Sequence, residues 1–317
     1  MKWKKLGLIF NPAEHKLANN CSEFAQSPQA LVFDDFVRIY FSTREKDNTG
    51  KYLSHISYVE MDKKLSKIKK IADKTVIPLG NLGCYDEHGI FPLNILRDGN
   101  RVLGYIGGWN RRISVSIETS IGLAISRNDG LTFERIGDGP VLSSSLYEPF
   151  LVGDPFVLKV AGLYHMWYIY GTEWINNPDN NVKERVYKIG HASSGDGISW
   201  NKTGRQLIND RIGRYECQAL PTVIEIDGMY HMYFCYREMI GFRENKDKAY
   251  RIGYACSGDL NNWTRDDANA GIDVSTVGWD SEMMCYPHVF NCEGNIYMLY
   301  NGNKFGRFGF GAAVLEK

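Results

Sequence analysis

The chain has 317 residues, with 37 Lys and Arg balancing 37 Asp and Glu, so no net charge draws it to nucleic acid. A hydrophobic content of 44% suffices for a core, and 13% aromatic residues with 32 glycines lean towards an all-β design. No stretch approaches the roughly 18 apolar residues of a membrane span, and the apolar run ending at Phe10 is too short for a secretory signal. Seven cysteines, odd in number and without paired spacing, fit reduced thiols. These features predict a cytoplasmic chain with no membrane insertion.

In chain order, the first expected strand is Lys5-Leu-Gly-Leu-Ile-Phe10, followed by a five-fold repeat. Each copy begins with an apolar strand marked by a proline: Pro28, Pro92, Pro155, Pro221 and Pro287, spaced 63 to 66 residues apart. A second strand follows in each copy: Val37–Phe41, Val102–Ile106, Tyr164–Tyr168, Tyr230–Phe234 and Ile296–Tyr300. Third strands are Ile121–Ala124, Ile189–Ala192, Ile252–Ala255 and Phe308–Gly311, with Ile56–Val59 a divergent copy. Three copies then carry an Asp-containing turn ending in Phe133, Trp200 or Trp263, where the aromatic anchors a fourth strand. The basic segment Met61–Ala72 reads as a rim strand and turn rather than a helix, and His165 and His231 recur at one repeat position, as structural residues do.

Four short strands per repeat make a propeller blade. The sequence therefore predicts an all-β fold: one five-bladed β-propeller domain over residues 1–317, its ring closed by the N-terminal strand joining the last blade. Closure removes exposed sheet edges.

In such a fold the loops entering each first strand, and those between second and third strands, open on one face around a central funnel. Glu23, Glu87, Glu216 and Glu282 each lie five residues before a marker proline, and in the third copy Asp154 directly precedes Pro155. Converging carboxylates shift one another's pKa, which is how acid–base sites are built; the alternative is that Glu23, Glu87 and Glu282 tie loops to backbone amides. Loops between second and third strands bring Arg44, Arg111, Arg112, Arg237, Arg243 and Arg307, with Trp109 and Trp174 beside them. Arginine forks suit carboxylate or phosphate, and a tryptophan face suits a sugar ring. The expected ligand is a small anionic carbohydrate or sugar nucleotide, contacted also by Ser27, Asp86, His88, Glu282 and His288.

These residues resemble the five-bladed glycosidase superfamily of arabinanase/xylosidase-like and invertase-like glycoside hydrolases (families 43, 32, 117 and 130). The resemblance implies a base or nucleophile Asp before proline on the first blade, a tuning Asp on the third and a proton-donor Glu on the fourth. Gly153-Asp154-Pro155 matches the second motif and Glu216-Cys217 the third, 62 residues apart. The first departs, because Ser27-Pro28 stands where Asp-Pro is expected, and a serine needs an activating partner to act as nucleophile. The reading is a glycoside-processing enzyme with Glu216 as acid, Asp154 orienting the sugar or adjusting the pKa of Glu216, and Glu23 or Glu87 standing in for the base. It would act in surface-polysaccharide metabolism. The alternatives are a non-hydrolytic glycan- or nucleotide-sugar-binding propeller, or zinc-dependent chemistry at Cys84, His88, Cys217, Cys285 and His288.

Overall fold

The computed structural model describes residues 1–178 and 180–316. Strand β1 (Trp3–Phe10) leads into the first unit: β2 (Glu23–Val32), β3 (Val37–Lys46), β4 (Tyr52–Met61) and a short β5 (Ile68–Ile71). The second unit is β6 (Gly89–Asp98), β7 (Arg101–Arg111), β8 (Ile117–Ser126) and β9 (Glu134–Arg135); the third is β10 (Val152–Val160), β11 (Leu163–Asn176), β12 (Lys183–Ser194) and β13 (Asn201–Lys202). The fourth comprises β14 (Glu216–Ile226), β15 (Met229–Glu238), β16 (Arg251–Ser257) and β17 (Thr264–Arg265), and β18 (Cys285–Cys292), β19 (Asn295–Asn301) and β20 (Phe310–Leu315) begin the last. Among the described residues the only helical elements are short 3-10 turns.

Within every unit the strands pair antiparallel in sequence order. The first two units are joined into one sheet by a single parallel bridge, Ser54 to Gly89. In the last unit the outer position is filled from the other end of the chain: β1 pairs with β20, from Trp3 opposite Leu315 to Phe10 opposite Phe310. The first strands touch in succession, β2 to β6, β10, β14 and β18, and β18 touches β2.

Second strands supply the largest buried side chains, Tyr40, Tyr105, Trp167, Tyr168, Tyr233 and Tyr300. The predicted turns lock the units together. Ser126, Ser194 and Ser257 accept backbone N–H bonds from the turns that follow them. Asp196 accepts from Ser199 and Ile198, which hold its carboxyl down at about 2. The closing aromatics anchor, but against the preceding unit rather than their own: Trp200 packs edge-on against Tyr105 and Trp263 against Trp167. The Met61–Ala72 segment forms the rim strand β5 and its turn, as expected.

The marker prolines have a local effect that positions the site. Proline cannot donate to the ladder, and the pairing register breaks at every one of them, between Gln26 and Gln29, Ile90 and Leu93, Gly153 and Phe156, Ala219 and Thr222, and Cys285 and His288. In four repeats the residue before the proline takes a left-handed backbone: Ser27 (φ 47°), Asp154 (φ 50°), Leu220 (φ 46°) and Tyr286 (φ 58°). A residue preceding proline ordinarily stays extended, so these bulges are strained and re-aim the side chains they carry.

Candidate active site

A cavity of about 290 Å³ lies where first strands begin, second strands end and third strands begin. Its wall includes the pre-proline residues Phe91, Asp154 and Tyr286, Trp109 on β7, and Arg44 at the end of β3. Starts of third strands, and the loop before one, add Tyr52, Thr119, Arg185, Tyr187 and Tyr250. Among the described residues Asp154 is the sole carboxylate on this wall.

Asp154 is buried, and the backbone N–H of Leu220 donates to its Oδ2 at 3.3 Å. Burial raises its pKa to about 7, opposed by that hydrogen bond and by the Arg185 charge. A carboxylic acid that holds its proton near neutrality can deliver it to a leaving oxygen.

Arg44 donates from Nε to Gln26 Oε1 at 2.9 Å and lies over the rings of Phe24 and Tyr52, and burial lowers its pKa. Arg185 lies over Trp174, with Nη1 3.4 Å from Ser116 Oγ. Neither has an acidic partner among the described residues. The other mouth arginines are occupied: Arg111 pairs with Asp47 (2.8 Å), Arg112 with Glu118, Arg243 with Glu184 (2.7 Å) and Arg307 with Glu23 (2.6 Å). Arg237 is buried behind the wall, donating to the Tyr187 hydroxyl at 3.0 Å.

The remaining carboxylates named from sequence do not line the cavity. Glu216 is enclosed by four hydrogen bonds: Oε1 accepts from Arg265 (2.6 Å) and Gln218 (2.9 Å), and Oε2 from the backbone of Arg211 (2.8 Å) and Ile212 (3.0 Å). It belongs to a recurring clasp in which a buried acid at, or in the loop before, the start of a unit's first strand pairs with a cation on that unit's outer strand. The set is Asp86 with Arg135, Glu148 with Lys202 (2.6 Å), Glu216 with Arg265 (2.6 Å) and Asp280 with Lys5 (2.7 Å). Glu23 is held by Arg307, which lowers its pKa, and by the Tyr52 hydroxyl at 3.3 Å. Glu87 accepts the backbone N–H of Gly83 at 2.9 Å, the loop-tying role set out as an alternative. Glu282 borders a separate depression with Arg243, Lys246 and Lys304.

Ser27 is buried with its N–H on Asn301 Oδ1 at 2.8 Å. His88 stacks on Trp109, and burial lowers its pKa. His288 sits between Phe156 and Phe290, where burial pushes it down to about 3 and keeps it neutral. Trp174 stands behind Arg185 rather than on the wall. The zinc alternative is corrected by geometry. Among the described residues no three His, Cys, Asp or Glu side chains gather as a metal site, so Cys84, His88, Cys217, Cys285 and His288 do not form one. Cys217 instead donates to the Arg185 carbonyl at 3.3 Å.

Sequence reasoning missed Arg185, Tyr52, Tyr187, Tyr250 and Tyr286. Aligning the residue before each marker proline would have found Tyr286 beside Asp154, and aligning third-strand starts would have found the others.

No family model matches the chain. It is 36% identical over 317 residues to an uncharacterized protein of Mycobacterium tuberculosis (strain CDC 1551 / Oshkosh), covering 100% of both. It is 27% identical over 140 residues to a 1,2-beta-oligomannan phosphorylase of Thermoanaerobacter sp. (strain X514), covering 43% of this chain and 44% of that protein. Among solved structures it superposes on a beta-1,2-mannobiose phosphorylase from Listeria innocua with a TM-score of 0.70 at 12% identity, over 99% of this chain and 96% of that one. A thermostable family-43 glycoside hydrolase gives 0.64 at 14% identity, over 94% and 92%. The chain belongs to the family of the full-length mycobacterial protein, and its fold is that of the β-propeller glycosidases, which include family-43 hydrolases and β-mannoside phosphorylases.

Proposed function

We propose that the chain is a five-bladed propeller enzyme that breaks or makes a glycosidic bond in the central cavity, with Asp154 as the proton donor. The observation that carries this is the one wall carboxylate among the described residues, buried and held at about 7. Glu216, with both oxygens engaged, has no free position to meet a substrate. Trp109 offers the sugar a flat apolar face, and Arg44 and Arg185 receive the negative charge of an acidic or activated sugar, or of an anionic co-substrate. The closed ring is supported by the pairing of β1 with β20 and by the succession of first strands returning from β18 to β2.

Among the described residues one carboxylate stands on the wall and no second acid is at hand to activate water, whereas a phosphate anion is already a competent nucleophile. The reaction favoured is therefore glycosyl transfer to or from phosphate, a reading in keeping with the two similar proteins named as phosphorylases. Atoms balance: phosphate oxygen bonds to the anomeric carbon, the glycosidic C–O bond breaks, and the Asp154 proton goes to the departing oxygen. The protein is incubated with β-1,2-manno-oligosaccharides and a panel of acidic glycosides, with and without phosphate. Glycosyl phosphate should form only with phosphate present and disappear in Asp154→Asn. Equal sugar release without phosphate would overturn phosphorolysis, and full turnover by Asp154→Asn would overturn the assignment of the acid.

A further inference from the structure

Behind the cavity lies a hydrogen-bond chain whose protons can be counted. Arg237 is 3% exposed and has no acidic partner among the described residues. Its Nη1 donates to the carbonyls of Glu238 (2.7 Å) and Met239 (3.2 Å), and its Nη2 to the Tyr187 hydroxyl (3.0 Å). Its guanidinium lies 3.4 Å from the Phe242 ring centroid and 5.4 Å from those of Tyr187 and Tyr250. The Tyr187 and Tyr250 hydroxyl oxygens are 2.5 Å apart, and both residues line the cavity. Burial favours the protonated form of each hydroxyl.

A guanidinium donates and never accepts, so it consumes a lone pair on Tyr187 and returns nothing. The two hydroxyls hold two protons. One occupies the 2.5 Å contact, whichever oxygen donates it. The other has no acceptor among the described residues, and a buried donor without an acceptor is costly. The surplus proton, the uncompensated guanidinium behind it and the low local dielectric all call for negative charge on the cavity side.

We infer that the Tyr187–Tyr250 pair, backed by Arg237, is a binding position for an anionic oxygen of the ligand, a carboxylate or a phosphate. This rests on the cavity being the working site, and it names the chemistry of what binds there. Arg44 and Arg185 bring charge to the same wall, but the tyrosines add direction: an O–H donor polarised by a fixed cation, positioned before the ligand arrives. Neutral hydroxyls of a sugar would meet it less well, because they bring no charge to balance Arg237.

The test is calorimetric titration of the purified protein with inorganic phosphate, with D-glucuronate and with neutral methyl mannoside, repeated on Tyr187→Phe and Tyr250→Phe. At least one anion should bind, and each variant should weaken it by about tenfold, the value of one charge-assisted hydrogen bond. Neutral-sugar binding by both variants and the thermal unfolding midpoint of Tyr250→Phe should stay near wild type, whereas Tyr187→Phe, which strips the acceptor from Arg237 Nη2, should also lose stability. Weakened anion binding by Tyr250→Phe at an unchanged midpoint is what a merely structural role for the hydroxyls would not predict. Phosphate binding alone would mark a co-substrate site, and glucuronate alone a site for the sugar's own carboxylate; either supports the proposal. Failure of both anions to bind wild type, or undiminished anion binding by both variants, would overturn it. The readout is binding and not turnover, so an anion-binding protein that converts no glycoside would sink the enzymatic reading and leave this site standing.

Discussion

Lys5 on the first strand and Asp280 in the loop entering the last unit form a 2.7 Å ion pair across 275 residues of chain. The Tyr300 hydroxyl donates to the same carboxylate at 3.1 Å. Two units earlier, Lys202 and Tyr168 grip Glu148 in the same way. The N-terminal strand thus reproduces the outer-strand clasp of the second, third and fourth units as well as their pairing.

Breaking the clasp should cost stability. Asp280 is almost fully buried, so Lys5→Met leaves its carboxylate facing Tyr300 alone. Removing one partner of a buried pair costs about 3–5 kcal/mol, and the partial exposure of Lys5 places this one at the lower end. Urea unfolding of Lys5→Met should show that loss, and the double variant Lys5→Met/Asp280→Leu should recover part of it. Additive losses would mean the pair is not coupled.

Glu216→Gln separates the clasp role from a chemical one. The substitution keeps size but removes one of the two buried counter-charges of Arg265, Asp267 remaining at 2.9 Å, so unfolding should shift by roughly 1–3 kcal/mol. Glycosyl transfer per folded molecule should remain within about threefold of wild type, whereas a proton donor would lose 10²–10⁴-fold by the usual worth of general acid catalysis. Activity normalised to folded protein by circular dichroism decides between them.

Asp154 makes two pH predictions. As an acid it works protonated, so turnover in the cleavage direction should fall as pH rises through about 7, and Asp154→Asn should lose 10²–10⁴-fold. Its folded pKa lies above the ordinary value of 3.8, so its contribution to stability is full below about 4 and is lost as pH rises through 7. Asp154→Asn lacks that loss. The stability difference, variant minus wild type, should grow between pH 4 and pH 8 by an amount of order 2–4 kcal/mol, at 1.36 kcal/mol per pKa unit. A flat difference across that range would show the carboxyl to be ionised throughout.

Arg44 and Arg185, without an acidic partner among the described residues, should be distinguishable from the paired arginines. Arg44→Met and Arg185→Met should each raise KM for the anionic substrate by tenfold or more, on the order of a desolvated charge-assisted contact. Arg112→Met and Arg243→Met, which remove exposed partners of Glu118 and Glu184, should leave KM near wild type. Equal effects from all four would point to a diffuse field rather than a built contact.

Much of this molecule was legible before folding. The proline spacing, the Tyr-rich second strands and the Asp turns specify repeating four-stranded units because each is a local pattern with its own steric or hydrogen-bonding cause. The pairing of the first strand with the last followed from the fifth copy being one strand short. The sequence by itself also singled out Asp154, through the Asp-Pro pair, and Arg44 and Trp109, through their place at second-strand ends. The tertiary structure decided which charges are free. Spacing places a residue in a unit but does not say which partner meets it from another part of the chain: Arg265 closes over Glu216, Arg135 over Asp86 and Arg307 over Glu23, while among the described residues no acid reaches Arg44 or Arg185. The bulge at each marker proline then decides what is presented at the centre. Four glutamates at one offset looked like a converging set, yet the left-handed residue just before the proline is the one re-aimed, and at that position only the third unit carries an acid.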